Sequence, residues 1–323
     1  MMRLFTGPLP RWAQRDHPAL RYELGQPARL PASVRYLRAF AQLFALAALL
    51  LIGTLIATDL LRRPAGINSV ENIFNILYVP VIALQGLLSV IALDASVGFV
   101  PEQMARGAWD QLRATPGGVQ VAMRARWVAA FYRGRLIIAA ILIARAVLIA
   151  LMLWEIMGFQ GRYLTLLTNR ITPEVSLPAA ILLLSLSMTA ALVLPVSSAG
   201  LDASVGLLLS VYVRGRTGSV LLLAGLLLAR LAVIAALLMA GATYMRGEMI
   251  DLSAASAWLL LFAGGAVGDW GLGFLHLGRS GEIWATVPYA LLLGTAAFAF
   301  ALAQAVIADR LLVFAAAQGQ KRE

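Results

Sequence analysis

Apolar runs about as long as a membrane is thick alternate along this chain with short polar stretches. Six of them, at 39–58, 73–93, 136–157, 177–200, 219–243 and 285–308, approach the roughly 20 residues an α-helix needs to cross a bilayer core. A seventh apolar stretch, 256–284, has a different character. Gly264, Gly265, Gly268, Gly271 and Gly273 interrupt it together with Asp269 and His276, which makes a poor lipid-facing helix. Broken backbone at membrane depth is tolerated only where protein shields it, so this stretch is expected to be a re-entrant hairpin. The pattern predicts an all-α polytopic membrane protein with residues 39–308 as its transmembrane part. A polar N-terminal segment (1–38) and a short tail (309–323) flank it.

The longest polar interruption is 94–135. Within it Pro101 suits a first helical position and Glu102 the positive end of a helix, while Thr115, Pro116, Gly117 and Gly118 end the pattern. Ala105, Ala108, Trp109 and Leu112 recur at helical spacing. The pairs Glu102 with Arg106 and Arg106 with Asp110 place opposite charges four apart. The spacing therefore predicts an amphipathic helix over 101–116. A second one is expected between His17 and Leu30, with Ala19, Leu20 and Leu24 apolar and Arg21 and Glu23 polar. It suits an interfacial anchor or a partner contact equally. A shorter cytoplasmic segment, Leu201 to Gly218, carries Asp202, Arg214 and Arg216.

The chain also echoes itself. Leu93 to Gly98 and Leu201 to Gly206 are the same hexapeptide, LDASVG, and ILIAR ending at Arg145 matches LLLAR ending at Arg230. The first pair is offset by 108 residues and the second by 85, so the first copy carries an insertion about the size of the predicted 101–116 helix. Internal repeats of this kind occur in transporters.

Charge settles orientation more than partner. The net charge is +10, but the basic residues flank the spans instead of clustering, which argues for topology and against nucleic acid. With both ends inside, 18 Lys and Arg fall on the inner side and six outside, leaving Arg145 and Arg230 within spans. Those two must face the bundle or water, as a substrate pathway contact or paired with Glu155, Asp269 or backbone carbonyls. Arg145, Arg230 and Asp269 are the pathway candidates, and Asp269, Trp270 and His276 could form an outer gate. Asp94 and Asp202 read as interfacial or helix-capping residues, and Ala297, Ala301 and Ala305 as a close-packing helix face.

The chain has no Cys, which excludes thiol chemistry and disulfides. No closely spaced His and carboxylate set suggests a metal, and no GxSxG suggests a serine hydrolase. Lys321 is the one lysine, so a GxxxxGK[ST] phosphate loop is excluded from this sequence. Any ATP hydrolysis belongs to another polypeptide.

The segment Glu102, Arg106, Gly107, Ala108, Trp109, Asp110, Leu112, Thr115, Pro116 stands as ExxxRGAWDxLxxTP. It resembles the ExERGTLExLLxTP segment after the second span of permease subunits of ABC-2-type ATP-binding-cassette exporters. The resemblance implies a type V exporter-like architecture of six spans plus a re-entrant hairpin, both termini cytoplasmic, in a prokaryotic cytoplasmic membrane. It implies no catalysis and no cofactor in this chain, with ATP and Mg held by a separate ATP-binding subunit. A second permease subunit, identical or related, and membrane lipid are the other implied partners. The ATPase-coupling residues it assigns are Glu102, Arg106, Gly107, Trp109, Asp110, Leu112, Thr115 and Pro116, with Asp202, Arg214 and Arg216 in the second cytoplasmic loop. A non-transporting scaffold or anchor subunit of a larger membrane complex is the alternative.

Overall fold

A computed structural model describes residues 10, 13–14, 17–25, 69–168, 177–213, 215–245, 253–279 and 288–321. Among them every regular element is helical. In chain order these are α1 (Pro18–Gly25), α2 (Ser69–Val97), α3 (Phe99–Ala105), α4 (Trp109–Ala114), α5 (Gly118–Thr168), α6 (Leu177–Ser210) and α7 (Gly215–Met245). There follow α8 (Ala254–Ala263), a π-helical segment (Gly264–Gly268), α9 (Leu272–Arg279) and α10 (Pro288–Lys321).

Five of them, α2, α5, α6, α7 and α10, contain stretches long and apolar enough to cross a membrane, which marks the chain as an integral membrane protein. The cause is local. Leu, Ala, Ile and Val dominate these runs, and with no water to bond the backbone, a helix is what satisfies every N–H and C=O within one segment. Pro80 in α2 and Pro195 in α6 are accommodated inside helices. The expected spans at 73–93, 136–157, 177–200 and 219–243 each fall in one of these helices, the described part of 285–308 falls in α10, and 39–58 lies outside the described residues.

Helices α2, α5, α6 and α10 form the central bundle, with α10 lying along α6. The small-residue face expected on α10 is shifted. Ala297 and Ala301 are buried as expected, but Ala305 is exposed, and the buried line continues through Gln304, Ala308, Leu312 and Ala315. A straight helix drifts away from a strict four-residue spacing, so the contact line takes a three-residue step at Gln304. Gln304 is held there because its Oε1 accepts from Ser197 Oγ at 2.8 Å and Ser198 Oγ at 3.3 Å on α6.

The segment from Leu201 to Gly218 is not a loop over most of its length. Residues Leu201 to Ser210 continue α6 without a break, so Asp202 sits inside a helix and is buried. Ala203 and Leu207 give that stretch an apolar face to bury, which carries the helix past its expected end. Arg214 lies outside the described residues, and Arg216 is in the first turn of α7.

The two LDASVG copies lie against each other. Ala95 and Ala203, at equivalent positions, bury in one cluster, and both Ser96 and Ser204 bond back to the carbonyl four residues before. Gly206 of the second copy meets Ser96 and Val97 of the first, so closely that a Cβ there would lie 3.0 Å from Ser96 Cβ and nearer still to its Oγ. Gly206→Ala is therefore expected to lower stability by about 1–3 kcal/mol, read as a fall in melting temperature of the detergent-solubilised protein. Adding Ser96→Ala should recover part of the loss.

Candidate functional site

The stretch expected to be re-entrant contains α8, the π-helical segment, a turn at Asp269–Gly271 and α9, with residues 280–287 outside the described set. Its sequence explains the turn. The Asp269 N–H donates to the Gly264 carbonyl at 3.0 Å and the Gly271 N–H to the Gly265 carbonyl at 2.6 Å. The Asp269 carboxylate then accepts from the N–H of Gly271 at 3.1 Å and of Gly273 at 2.6 Å, and from the Tyr78 hydroxyl at 3.4 Å. Gly271 is required twice over. Its φ is +89°, and a Cβ would stand 2.8 Å from Leu194 Cδ1 and 3.2 Å from the Ala191 backbone. Trp270 adopts φ +54°, a left-handed conformation that costs a non-glycine residue about 1–2 kcal/mol.

Both span arginines converge on this turn. Arg145, fully buried on α5, donates to the carbonyls of Ala191 and, at 3.3 Å, of Asp269. Gln85 on α2 completes its surroundings. With the amide oriented by its hydrogen-bond network, the oxygen accepts from Arg145 Nε at 3.1 Å and from Nη2, and the nitrogen donates to the Asp269 carbonyl at 3.2 Å. Arg230 on α7 forms an ion pair with Asp202 on α6, and its guanidinium carbon lies 5.4 Å from the Trp270 ring centroid. The three pathway candidates Arg145, Arg230 and Asp269 thus gather at one turn. Arg145 takes the backbone-carbonyl option, whereas Arg230 pairs with Asp202, a residue that sequence reasoning placed at a span end. The side chains of Glu155 and His276 lie outside the described residues. Gln85 and Tyr78 were missed by sequence reasoning, although a glutamine amid the apolar run around it was a readable signal.

The polar interruption builds a second constellation. The single helix expected over 101–116 is two short ones, α3 and α4, bent at Arg106–Ala108. Gly107, at φ +67°, ends the first of them. Arg106 Nη2 pairs with Glu102 Oε1 at 2.6 Å, while Asp110 approaches Arg113 at 3.9 Å. Behind them Arg126 on α5 ties three elements together. It reaches Glu23 of α1 at 2.7 Å, Glu102 of α3 at 3.2 Å and the Ala95 carbonyl of α2 at 2.5 Å. Glu23 is therefore buried, and α1 packs on α5 through Leu20, Val128 and Ala129.

Trp109 faces inward. It is 2% exposed, edge-on to Phe99 with ring centroids 6.5 Å apart, in a cluster with Met123, Leu207 and Ala315. The end of α10 closes over it. A Cβ on Gly319 would lie 3.3 Å from the Trp109 ring, and Gln320 Nε2 donates to the Arg113 carbonyl at 2.9 Å. Left exposed are Arg106, Gly107, Asp110, Gln111, Thr115 and Pro116, while Glu102 and Leu112 are half-buried. Beside them opens a groove of about 400 Å³ lined by Tyr22, Glu23, Gln103, Gln111, Leu112 and Thr115.

No protein-family model, no curated protein and no solved structure matches this chain. Replacing Asp269 with Ala removes the acceptor of two turn amides and the carboxylate beside Arg145, and is expected to cost about 3–5 kcal/mol. Asp269→Asn keeps one acceptor oxygen and should cost less, a ranking that thermal unfolding in detergent will test.

Proposed function

We propose that this chain is the membrane-spanning permease subunit of an ABC-2-type exporter, and that the 101–116 segment is where a separate ATPase subunit docks. The observation that carries the reading is the shape of that segment. Its residues resemble the exporter motif, and they fold as an elbow of two short helices whose polar side is exposed beside an open groove. A surface element of a partner laid in the groove would contact Gln111, Leu112 and Thr115, a helix-in-groove mode of recognition, with the exposed charges of Arg106 and Asp110 on the same elbow.

Movement of the elbow has a direct route into the membrane. Its second half, α4, is followed after a short turn by α5, whose 51 residues extend for about 77 Å, far beyond a hydrocarbon core of roughly 30 Å. Arg126, near the start of α5, grips α1, α2 and α3 at once. A push on the elbow is therefore delivered to α5 and α2 as one body. In this reading two such subunits form the translocation pathway by alternating access, and ATP with Mg is bound by the partner. Both termini are cytoplasmic.

The burial of Trp109 decides which variants test the proposal. Trp109→Ala opens a cavity in the chain's own core and should cost about 3–5 kcal/mol whatever the partner does. Arg106→Glu and Asp110→Arg alter exposed charges and should leave the fold intact. Co-purification with the candidate ATPase subunit is expected to fall about ten-fold or more in each. Normal assembly and normal ATP-driven transport in both variants would sink the proposal. An intact complex that never transports would favour the scaffold alternative.

A further inference from the structure

The two repeat-related arginines do different jobs, and the difference points to a moving part. Arg145 is sealed in the bundle, with its donors taken by the Ala191 and Asp269 carbonyls and the Gln85 amide. Arg230 keeps 24% of its side chain exposed, and its bonded partner, Asp202, belongs to a different helix. The helix that carries Arg230 is itself peripheral. No residue of the most apolar 18-residue stretch of α7 is buried within the protein, whereas 61% of the corresponding stretch of α6 is. Helix α7 touches α2, α3, α8 and the π-helical segment, where Gly268 comes close to Leu237 and Leu238.

We infer that α7 is a swinging helix, latched to the central bundle by the Arg230–Asp202 ion pair with Trp270 as the plate on which the arginine rests. Arg145 is the fixed pin of the same design. The turn at Asp269 is locked by its own carboxylate bonds and by Arg145, so Trp270 is held in its left-handed conformation facing α7. That backbone strain persists only because its surroundings over-determine it, and its effect is to present an aromatic face to the one cation on α7 outside its first turn. Asp202 Oδ2 is buried without a hydrogen-bond partner among the described residues, so this carboxylate leans on Arg230 through its other oxygen. Release of the pair leaves α7 held by apolar contacts that lipid can replace, since lipid tails are as apolar as the helix itself. The inference stands apart from the exporter reading and holds for any activity of the chain.

The test uses the absence of cysteine from the full-length sequence. Gly268→Cys introduces one thiol beneath α7, where a Cβ meets nothing nearer than 3.6 Å. Its reaction with a small maleimide, in protein reconstituted in lipid nanodiscs, reports displacement of α7. Asp202→Asn and Arg230→Gln are each expected to raise the labelling rate about ten-fold or more over the parent. The exchanged pair, Asp202→Arg with Arg230→Asp, should restore part of the protection, since it keeps the ion pair and loses the contact with Trp270. Equal labelling in parent and single variants overturns the latch, as does a folded exchanged variant that labels as fast as the singles. If the single variants do not fold, recovery of folding in the exchanged pair supports the latch and its failure there overturns it.

Discussion

A buried arginine with nowhere to go sets the terms for this fold. Arg145 lies within a span, and a guanidinium at that depth is tolerable only when its donors are met by protein groups. Helix α6 supplies a carbonyl at Ala191, α2 supplies Gln85, and the turn between the π-helical segment and α9 brings the Asp269 carbonyl. Three separate parts of the chain are thereby fixed around one side chain. Gly271 follows from that requirement, because only a backbone bare of a side chain there can approach Ala191 and Leu194 closely enough.

Around the elbow the governing interaction is also an arginine, but one at the edge of the bundle. Arg126 joins Glu23, Glu102 and the end of α2, so that the short helices α1 and α3 are anchored even though neither is long enough to be stable alone. The apolar half of the elbow is consumed by the chain's own core, with Trp109 and Phe99 under the end of α10. The surface left exposed is polar and grooved. This reverses the usual expectation that a tryptophan on an amphipathic segment marks the binding face.

The internal repeat joins these two regions. The LDASVG copies pack against each other at Gly206 and Ser96, close to where Arg126 caps α2. Farther along, the copies diverge: Arg145 turns to carbonyls and an amide, and Arg230 to Asp202 and an aromatic face. The aspartate of the first copy, Asp94, is exposed, whereas that of the second is buried. Identical local sequences have thus been placed in unlike surroundings, and the unlike neighbours determine what each charge does.

Much of this was legible in the sequence. Runs of Leu, Ala, Ile and Val fixed the helical class and the position of each described span, because a backbone in lipid has few other ways to satisfy itself. The clustered glycines with Asp269 marked where the helical backbone breaks, and Glu102 four residues before Arg106 marked their ion pair. Other features depended on neighbours distant in sequence. That Asp202 pairs with Arg230, that Gln85 serves Arg145, that Gln304 displaces Ala305 from the buried face and that Trp109 points inward were all decided by tertiary structure. Periodicity gives the faces of a helix, but which face is buried, and which partner a buried charge finds, depends on the helices brought beside it. The sequence by itself determined where helices form and where the backbone must break; only the packing decided which charges are sealed, which are shared and which are left outside.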